Sequence, residues 1–404
     1  MTKNTINAQI VADSIDPRGN RITTFVLTYP RIIHAEMMTH RVFSRNAASS
    51  RAIPFNKMVK SVLDDPFIPI AWQKDHKGMQ GTEYFTENDL ACPGDPDIKD
   101  DVPFHLTQVW LKARDEAINL ATYANNNGLT KQLCNRLLEP FQWYTCLLTT
   151  TEFDNFYELR CPKFINKHEN GEDISFSRKD FIKKLQERYP TNWEMELKDF
   201  FRIENNTEEE WFSLSNSGAE IHIQTLAEAM WDAKNESLPN QLEAGEWHIP
   251  FGNRIDITIK SKIVSQEYNR LIEKYDDPMS NCLPTIDLRD LINPLKVKIA
   301  TARCARLSYM TFDGEIDYEK DIKLHDQLIG PPFHASPFEH CCRVMSDEEY
   351  ETFVKGRLDR LGEFIERYEE GYLENLFIPD QIQGWCNNVR GFIQYRYLLE
   401  NGNS

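Results

Sequence analysis

At 404 residues the chain is long enough to bury a substantial core, as one large domain or two to three ordinary ones, and 41% apolar with 27% charged residues is a globular balance. A formal charge of −17 at pH 7 argues against nucleic acid or an anionic membrane as a partner, because such binding needs a concentrated basic face, whereas a small anion needs only a local cluster. No apolar run approaches a bilayer-spanning length, and MTKNTINAQIVADS lacks the charged and apolar regions of a signal peptide, so a cytoplasmic protein is expected.

Ile22 to Pro30 (ITTFVLTYP) alternates Thr, Val and aromatic residues as a strand does, and Pro30 stands where a helix takes its first-turn proline. On the helix expected next, Ile33, Glu36, Met37 and His40 fall at i, i+3, i+4 and i+7, which gives them one face and sets His40 and Arg41 at the C-terminal end. SRNAASSR then reads as a polar loop closed by Pro54. From Arg31 to Pro54, neutral and charged hydrogen-bond donors are interleaved with apolar residues, a mixture that suits a polar anion in a partly buried pocket. Residues 60–100, with Asp-Pro and Pro-Gly steps, read as a long irregular loop.

Leu106, Val109, Trp110, Ala113, Ala117 and Ile118 predict a helix that stops at Gly128, and LTKQLCNRLLEP predicts a second with Arg136 near its end. FQWYTCLLTTT predicts a strand, and TEFDNFYELR a helix opened by a threonine cap. Residues 161–217 are dense in charge and hold two starts shaped like capping boxes, Ser177 with Asp180 and Thr207 with Glu210, the marks of an inserted helical subdomain. GAEIHIQTLAEAMWDA predicts an amphipathic helix, followed by Pro- and Gly-punctuated chain. Near the end, FDGEIDYEKD reads as an acid-rich turn before another amphipathic helix. HASPFEHCCRVM and WCNNVRGFIQYRYLLE read as helix or loop followed by strands.

Several chemistries lack their motif: there is no GxxxxGK[ST] loop, no GxGxxG after a strand and no GxSxG. His334 and His340 flank ASPFE beside Cys341 and Cys342, but that spacing matches no usual zinc pattern and no metal is expected. Nine cysteines without a Cys-x-x-Cys pair argue against a disulfide framework and predict reduced, mostly buried thiols.

THRVFSRNAASSR resembles the signature RHRxxSxNxxSxR of the flavin-dependent thymidylate synthases, matching at His40, Arg41, Ser44, Asn46, Ser49 and Arg51. FVLTYPRIIHAEMMT runs into it without a gap, as the corresponding strand and helix do in that family. Arg136, Pro140, Tyr144 and Thr145 match Arg-x-x-x-Pro-x-x-x-Tyr-Thr, and Asn155, Phe156, Leu159 and Arg160 match Asn-Phe-x-x-Leu-Arg. AEIHIQTLAEAM resembles the family's final helix. Two elements that normally open the family's chain, Ala-Arg-x-Ser-Tyr and Ser-Pro-Phe-Glu-His, stand here near the end, at Ala305 to Tyr309 and Ser336 to His340. Coherent blocks in rotated order describe a circular permutation, which is cheap where termini lie close in space.

The resemblance implies an α+β fold, a twisted, mainly antiparallel sheet with packed helices. Residues 1–160 and 291–404 would be two parts of one catalytic domain, 161–217 an insertion, and 218–290 the last family helix with a connecting segment. It implies FAD, NADPH and 5,10-methylenetetrahydrofolate as cofactors, dUMP as substrate, dTMP as product, and a homotetramer with sites shared between subunits. Carried over by position, Glu36, Ser49, Ser50, Arg51 and Arg136 would hold dUMP, and Arg160 would face the uracil and act in catalysis with His40. His40, Arg41, Ser44, Asn46, Asn155, Ser308, His334, Ser336 and Glu339 would line the flavin and folate space.

The residues agree with that chemistry. A one-carbon unit joins uracil C5 only if the ring is polarised or reduced, work that cofactors do while the protein positions. The Pro-Cys nucleophile of the ordinary thymidylate synthase is absent, and Ser49 reads as a phosphate or sugar ligand because no base stands at a triad-like place. The chain departs from the family at Thr39 (for Arg), Ala47 (for Glu), Glu36 (for Gln) and around Gly218, where a His is missing; Arg390, Gln394 and Arg396 are candidate compensating donors. Two alternatives stand beside this reading: flavin- and folate-dependent C5 hydroxymethylation of a pyrimidine nucleotide, and a non-catalytic nucleotide- or flavin-binding protein on the same scaffold. His34 and His222 read as packed or solvated, and GEWHIP with His248 as a substrate loop or an aromatic turn.

Overall fold

The computed structural model describes residues 3–77, 81–91, 101–169, 171–258, 260–275, 288–307, 317–353 and 383–402. The architecture is α+β. Strands β1 (Asn7–Ile15), β2 (Arg21–Pro30), β3 (Ser44–Ala47) and β4 (Trp143–Thr150) form a sheet in the order β3-β4-β2-β1, antiparallel throughout, with Asn240–Gln241 added parallel to β1. Both faces are covered. Phe25, Leu27, Tyr29, Cys146 and Leu148 pack against the helices Asp154–Arg160 and Ile221–Glu236 through Phe156, Tyr157, Ile223, Leu226 and Met230. On the opposite face, Val26 and Leu147 meet Cys304 and Leu307 of the helix Leu288–Leu307. Each large apolar side chain so buried contributes about 1.5–3 kcal/mol before chain entropy is subtracted.

A smaller antiparallel sheet joins Trp247–His248, Cys342–Val344 and Phe392–Gln394. It brings the C-terminal third onto the main sheet, and the 3-10 turn Ser336–Glu339 leads into it.

Residues 164–214 contain a hairpin, Phe164–His168 with Gly171–Ser175, and the helices Arg178–Arg188, Trp193–Asp199 and Glu208–Leu214. They share a cluster of Phe164, Phe181, Leu185, Phe201, Ile203 and Trp211. The hairpin departs from the all-helical expectation. Thr207 and Glu210 do form a reciprocal capping box, whereas Ser177 accepts from the Asp180 backbone N–H and the Asp180 carboxylate turns instead to Lys184.

Other expectations change for local reasons. The helix predicted after Pro30 shrinks to a 3-10 turn, Arg31–Ile33, and one α-turn, His34–Met37. Arg45 ends it, because its Nη1 donates to the carbonyls of Met37 at 2.6 Å and His40 at 3.0 Å. SRNA is not loop but strand β3, paired with β4 from Ser44↔Thr149 to Ala47↔Cys146. The supposed loop from residue 60 begins as the helix Phe55–Asp64, which buries Phe55, Met58 and Val62 at helical spacing. The helix Asp154–Arg160 has no threonine cap: Thr150 Oγ1 donates to the Val42 carbonyl, and Thr151 Oγ1 accepts from the Arg390 backbone N–H. The segment carrying Arg390, Gln394 and Arg396, expected to end in strands, is a hairpin and a strand followed by a helix, Tyr395–Glu400.

No described helix is long and apolar enough to cross a membrane. Seven cysteines are buried free thiols, and burial pushes Cys341 up to about 12 and Cys146 and Cys386 up to about 11; Cys92 and Cys282 lie outside the described residues.

Burial holds His34, His40 and His248 down to about 4 and His340 down to about 3. The unfolded chain binds protons at these rings near pH 6.5, so between pH 6.5 and 4 it binds more protons than the folded one, and stability that is full above 6.5 is lost as the pH falls toward 4. The fully buried pair, His248 and His340, each contribute a slope of up to about 1.4 kcal/mol per pH unit. Glu228, lifted to about 7 by burial, opposes them with one group. Thermal unfolding followed from pH 7.5 to 4.5 is expected to show a progressive fall in melting temperature below 6.5; a flat profile would mean that the rings protonate in the folded state.

Candidate functional site

Arg160, the last residue of its helix, points back onto the chain that leaves β2. Its Nε donates to His40 Nε2 at 3.3 Å, Nη2 reaches Thr39 Oγ1 at 3.5 Å, and Nη1 lies 3.7 Å from Glu36 Oε2. His40 is therefore an acceptor at Nε2, and burial, then Arg160 and Arg45, keep it neutral down to about 4. Phe43 stacks on its ring and Phe156 meets it edge-on. Glu36 is held above the usual carboxylate range, by burial first and then by Glu220, against the opposing pull of Arg160 and His222. A guanidinium, a neutral imidazole and a carboxyl raised by burial thus share one corner.

A second corner is cationic. Ser49 to Ile53 form a tight turn in which the Ala52 and Ile53 N–H groups donate to the Ser49 carbonyl and the Arg51 N–H to Ser49 Oγ. Asn135, fully buried, donates to the carbonyls of Ser50 at 2.8 Å and Ile53 at 3.0 Å, which ties this turn to the helix Lys131–Arg136. The turn carrying Ser49, Ser50 and Arg51 is therefore fastened to the helix that ends in Arg136. Arg51 is exposed, and Arg136 is half-exposed, with Glu139 3.9 Å away. Arg31 lies over the Tyr144 ring at 4.3 Å and 3.6 Å from Glu139, and its Nη1 is buried with no hydrogen-bond partner among the described residues.

The third part is a buried amide network on β3. Gln394 Nε2 donates to Ser44 Oγ at 2.9 Å, Asn388 Oδ1 at 2.9 Å and the Glu339 carbonyl at 3.2 Å. Asn388 Nδ2 donates to Ser44 Oγ, and Asn387 Nδ2 to Gln394 Oε1. Ser336 Oγ donates to Asn46 Oδ1 at 3.3 Å, and Asn46 Nδ2 to the Cys304 carbonyl at 2.5 Å. Arg396 Nη1 holds Glu339 Oε1 at 2.7 Å.

The fold therefore unites Ser44, Asn46, Ser336 and Glu339, and separately unites Glu36, His40 and Arg160. Ser44 and Asn46 spend their polar atoms on protein partners. Arg41, Asn155 and His334 are exposed and make no side-chain hydrogen bond among the described residues, while Ser308 lies outside them. Sequence reasoning missed Arg31, Asn135, Asn388 and Glu220, while His222, expected to be packed or solvated, is packed. Its Nε2 accepts from the Ile70 N–H at 3.1 Å, and its Nδ1 is hydrogen-bonded to Glu220. The pair borders a cavity of about 350 Å³ lined also by Gln73, Tyr84 and Ser217. The available signals were the basic residue directly after the strand-ending Pro30 and the Asn-Asn pair in a hairpin turn. His248 sits in the short strand Trp247–His248, fully buried.

No protein-family model matches the chain, and no curated protein matches it. Among solved structures, the chain is similar to a UMP/dUMP methylase PolB from Streptomyces cacaoi bound with 5-Br dUMP, at 16% identity over 44% of this chain and 67% of that one, with a TM-score of 0.26. It is also similar to that methylase bound with 5-Br UMP, at 12% identity over 48% of this chain and 94% of that one, with a TM-score of 0.30.

Proposed function

We propose that the chain is an enzyme that adds a one-carbon unit to C5 of a pyrimidine nucleotide, in the form of a flavin-dependent thymidylate synthase converting dUMP to dTMP. The observation that carries this reading is the meeting around β3 of three separate stretches that resemble that family, Thr39 to Arg51, Asn155 to Arg160 and Ser336 to His340, through the bonds Arg160–His40 and Ser336–Asn46. The donor set fits the ligands. Arg41, Asn155 and His334 are exposed and make no side-chain hydrogen bond among the described residues, which leaves them available to FAD and folate. FAD reduced by NADPH supplies the hydride when bound, and 5,10-methylenetetrahydrofolate the carbon.

In this reading Arg51, Arg136 and the Ser49–Ser50 turn grip the dUMP phosphate, with Arg31 as a further donor. Arg160 sits against the uracil, where its fixed positive charge favours the polarised ring. His40, held neutral, orients Arg160 by accepting its Nε–H, and Glu36, raised by burial, faces Arg160 from 3.7 Å. Assembly as a homotetramer in the cytoplasm belongs to the same proposal. A hydroxymethylated product is the second reading, favoured by Thr39, which takes an Arg160 contact where the family has another arginine. Product mass separates the two, and a purified protein without a flavin absorption band points to the non-catalytic scaffold.

Each charge-assisted contact to the phosphate is worth roughly 1.5–3 kcal/mol, so Arg51→Ala and Arg136→Ala are each expected to weaken dUMP binding by about 10- to 100-fold. Deoxyuridine, which lacks the phosphate, should bind the wild type and both variants about equally weakly. Parallel titrations test this, and unchanged dUMP affinity in both variants moves the pocket elsewhere. Glu36→Gln, which restores the family residue, is expected to keep dUMP affinity within about threefold, since it preserves the shape of a group not assigned to the phosphate. It should remove the limb of the kcat/KM profile on which Glu36 titrates; a profile identical to the wild type rules Glu36 out as a titrating group.

A further inference from the structure

On the sheet face covered by the helix Leu288–Leu307, an unbroken line of hydrogen bonds crosses the strands. Ser14 Oγ meets His248 Nδ1 at 2.9 Å, His248 Nε2 meets Thr24 Oγ1 at 2.8 Å, Thr24 Oγ1 meets Thr149 Oγ1 at 2.7 Å, and Thr149 Oγ1 meets His340 Nδ1 at 2.8 Å. Ser14 is 4% exposed and the other four are 0% exposed. Every member is a hydroxyl or an imidazole, able to donate and accept at once, and no carboxylate or ammonium stands in the line to trap a proton. Burial keeps both rings neutral at ordinary pH.

The two ends differ. Ser14 lines a cavity of about 390 Å³, together with Asn240, Trp247, Asn253 and Lys296. At the other end His340 Nε2 is buried with no hydrogen-bond partner among the described residues. His340 directly follows the Ser336–Glu339 turn that rests on Asn46.

This asymmetry sets the direction of the line. Were the hydrogens ordered from Ser14 toward His340, the ring would carry its proton on Nε2, a buried N–H with no acceptor. The opposite order leaves only an empty lone pair there, which is the cheaper defect. His340 Nδ1–H then donates to Thr149, Thr149 to Thr24, Thr24 to His248 Nε2, and His248 Nδ1–H to Ser14, whose own hydrogen faces the cavity.

We propose that these five residues are a proton relay joining the Ser336 turn to the cavity at Ser14. In one passage a proton binds His340 Nε2 and the Nδ1 proton moves to Thr149, whose hydroxyl proton moves to Thr24. The Thr24 proton moves to His248 Nε2, the His248 Nδ1 proton to Ser14, and Ser14 releases its own to water in the cavity. Each member gains one proton and loses one, so no charge is left buried. The reverse passage draws a proton from the cavity and resets the line, so one full cycle carries one proton out and one proton in. Its use rests on the proposed reaction, in which the C5–H proton must leave and the folate nitrogen released from the transferred carbon must take a proton up. The five are positioning residues for that proton and not reacting groups.

Nitrogen NMR on the full-length protein labelled with 15N-histidine tests the direction without any variant: both rings are expected neutral with the proton on Nδ1. Exchange of the His340 ring proton in D2O tests the path. It should be about tenfold slower in Thr24→Val and in Thr149→Val, which keep the side-chain shape but cut the line, and near wild type in Thr24→Ser. A His340 proton found on Nε2, or exchange left unchanged or accelerated by both valine variants, overturns the relay. Release of tritium from 5-tritiated dUMP distinguishes the two levels. Loss of release in the valine variants supports the assigned use, and normal release despite slowed exchange refutes it. No release from the wild type refutes the reaction while the exchange result still decides the relay.

Discussion

The pairing of β4 between β2 and β3 is the constraint on which the rest of the molecule depends. β2 supplies a partner with eight paired positions, from Thr23↔Thr150 to Pro30↔Trp143, and both its faces are covered, so β4 is locked in register by burial. β3 has only four residues and lies at the sheet edge, where a polar strand is weakly specified by itself. Its position is fixed from outside, by Gln394 and Asn388 on Ser44 and by Ser336 on Asn46. Because His40 lies four residues before β3 and the Ser49 turn begins two residues after it, the register of this edge sets the position of both corners of the site.

That dependence explains what was legible in the residues. β2 and β4 announce themselves by β-branched and aromatic alternation, and the helices by period and punctuation: Asn126 ends its helix before Gly128, whose φ is +87°, and the Thr207–Glu210 box opens another. β3 was invisible because nothing local makes SRNA a strand; its ladder partner is β4, from Ser44↔Thr149 to Ala47↔Cys146, and the side chains of Ser336 and Gln394 that fix it lie 290 and 350 positions away. The turn before it was overread as a helix because Arg45, which caps it early, acts from beyond the predicted end. The capping threonine of Asp154–Arg160 failed for the same kind of reason, since tertiary partners claimed the hydroxyls first. Arg160 and His40 could be named in advance because both stand in blocks that resemble the family, and the fold shows that their side chains meet, whereas Asn135 and Arg31 act through geometry that spacing does not reveal.

The cationic corner is compatible with a chain of net charge −17 because its arginines are restrained without being neutralised. Arg136 and Glu139, 3.9 Å apart and with Arg136 half-exposed, form a surface pair of the kind that contributes no more than about 1 kcal/mol. In the proposed reading a doubly charged phosphate would offer each guanidinium a stronger, bidentate partner, and exchange of Glu139 for it would need no rebuilding of the corner. Arg31 is the exception: held on the Tyr144 ring with one buried donor unused, it is oriented in advance and pays little further entropy to bind.

The rotated order of the sequence blocks then asks little of the energetics. Closing a chain loop costs about 0.6 kcal/mol more for each doubling of its length, so joining Asn46 to Ser336 across 290 positions is only modestly dearer than joining neighbours. What such an arrangement requires is that the contacts at the junction be specific. The β3 network meets that need: an amide such as Gln394, 1% exposed and engaged at both ends, fits one register of Ser44, Asn388 and Glu339, and a slip would strand several buried polar groups at about 1–3 kcal/mol each. A site assembled from distant segments by hydrogen-bond matching is therefore tolerant of how the chain is ordered and intolerant of losing any one amide at the junction.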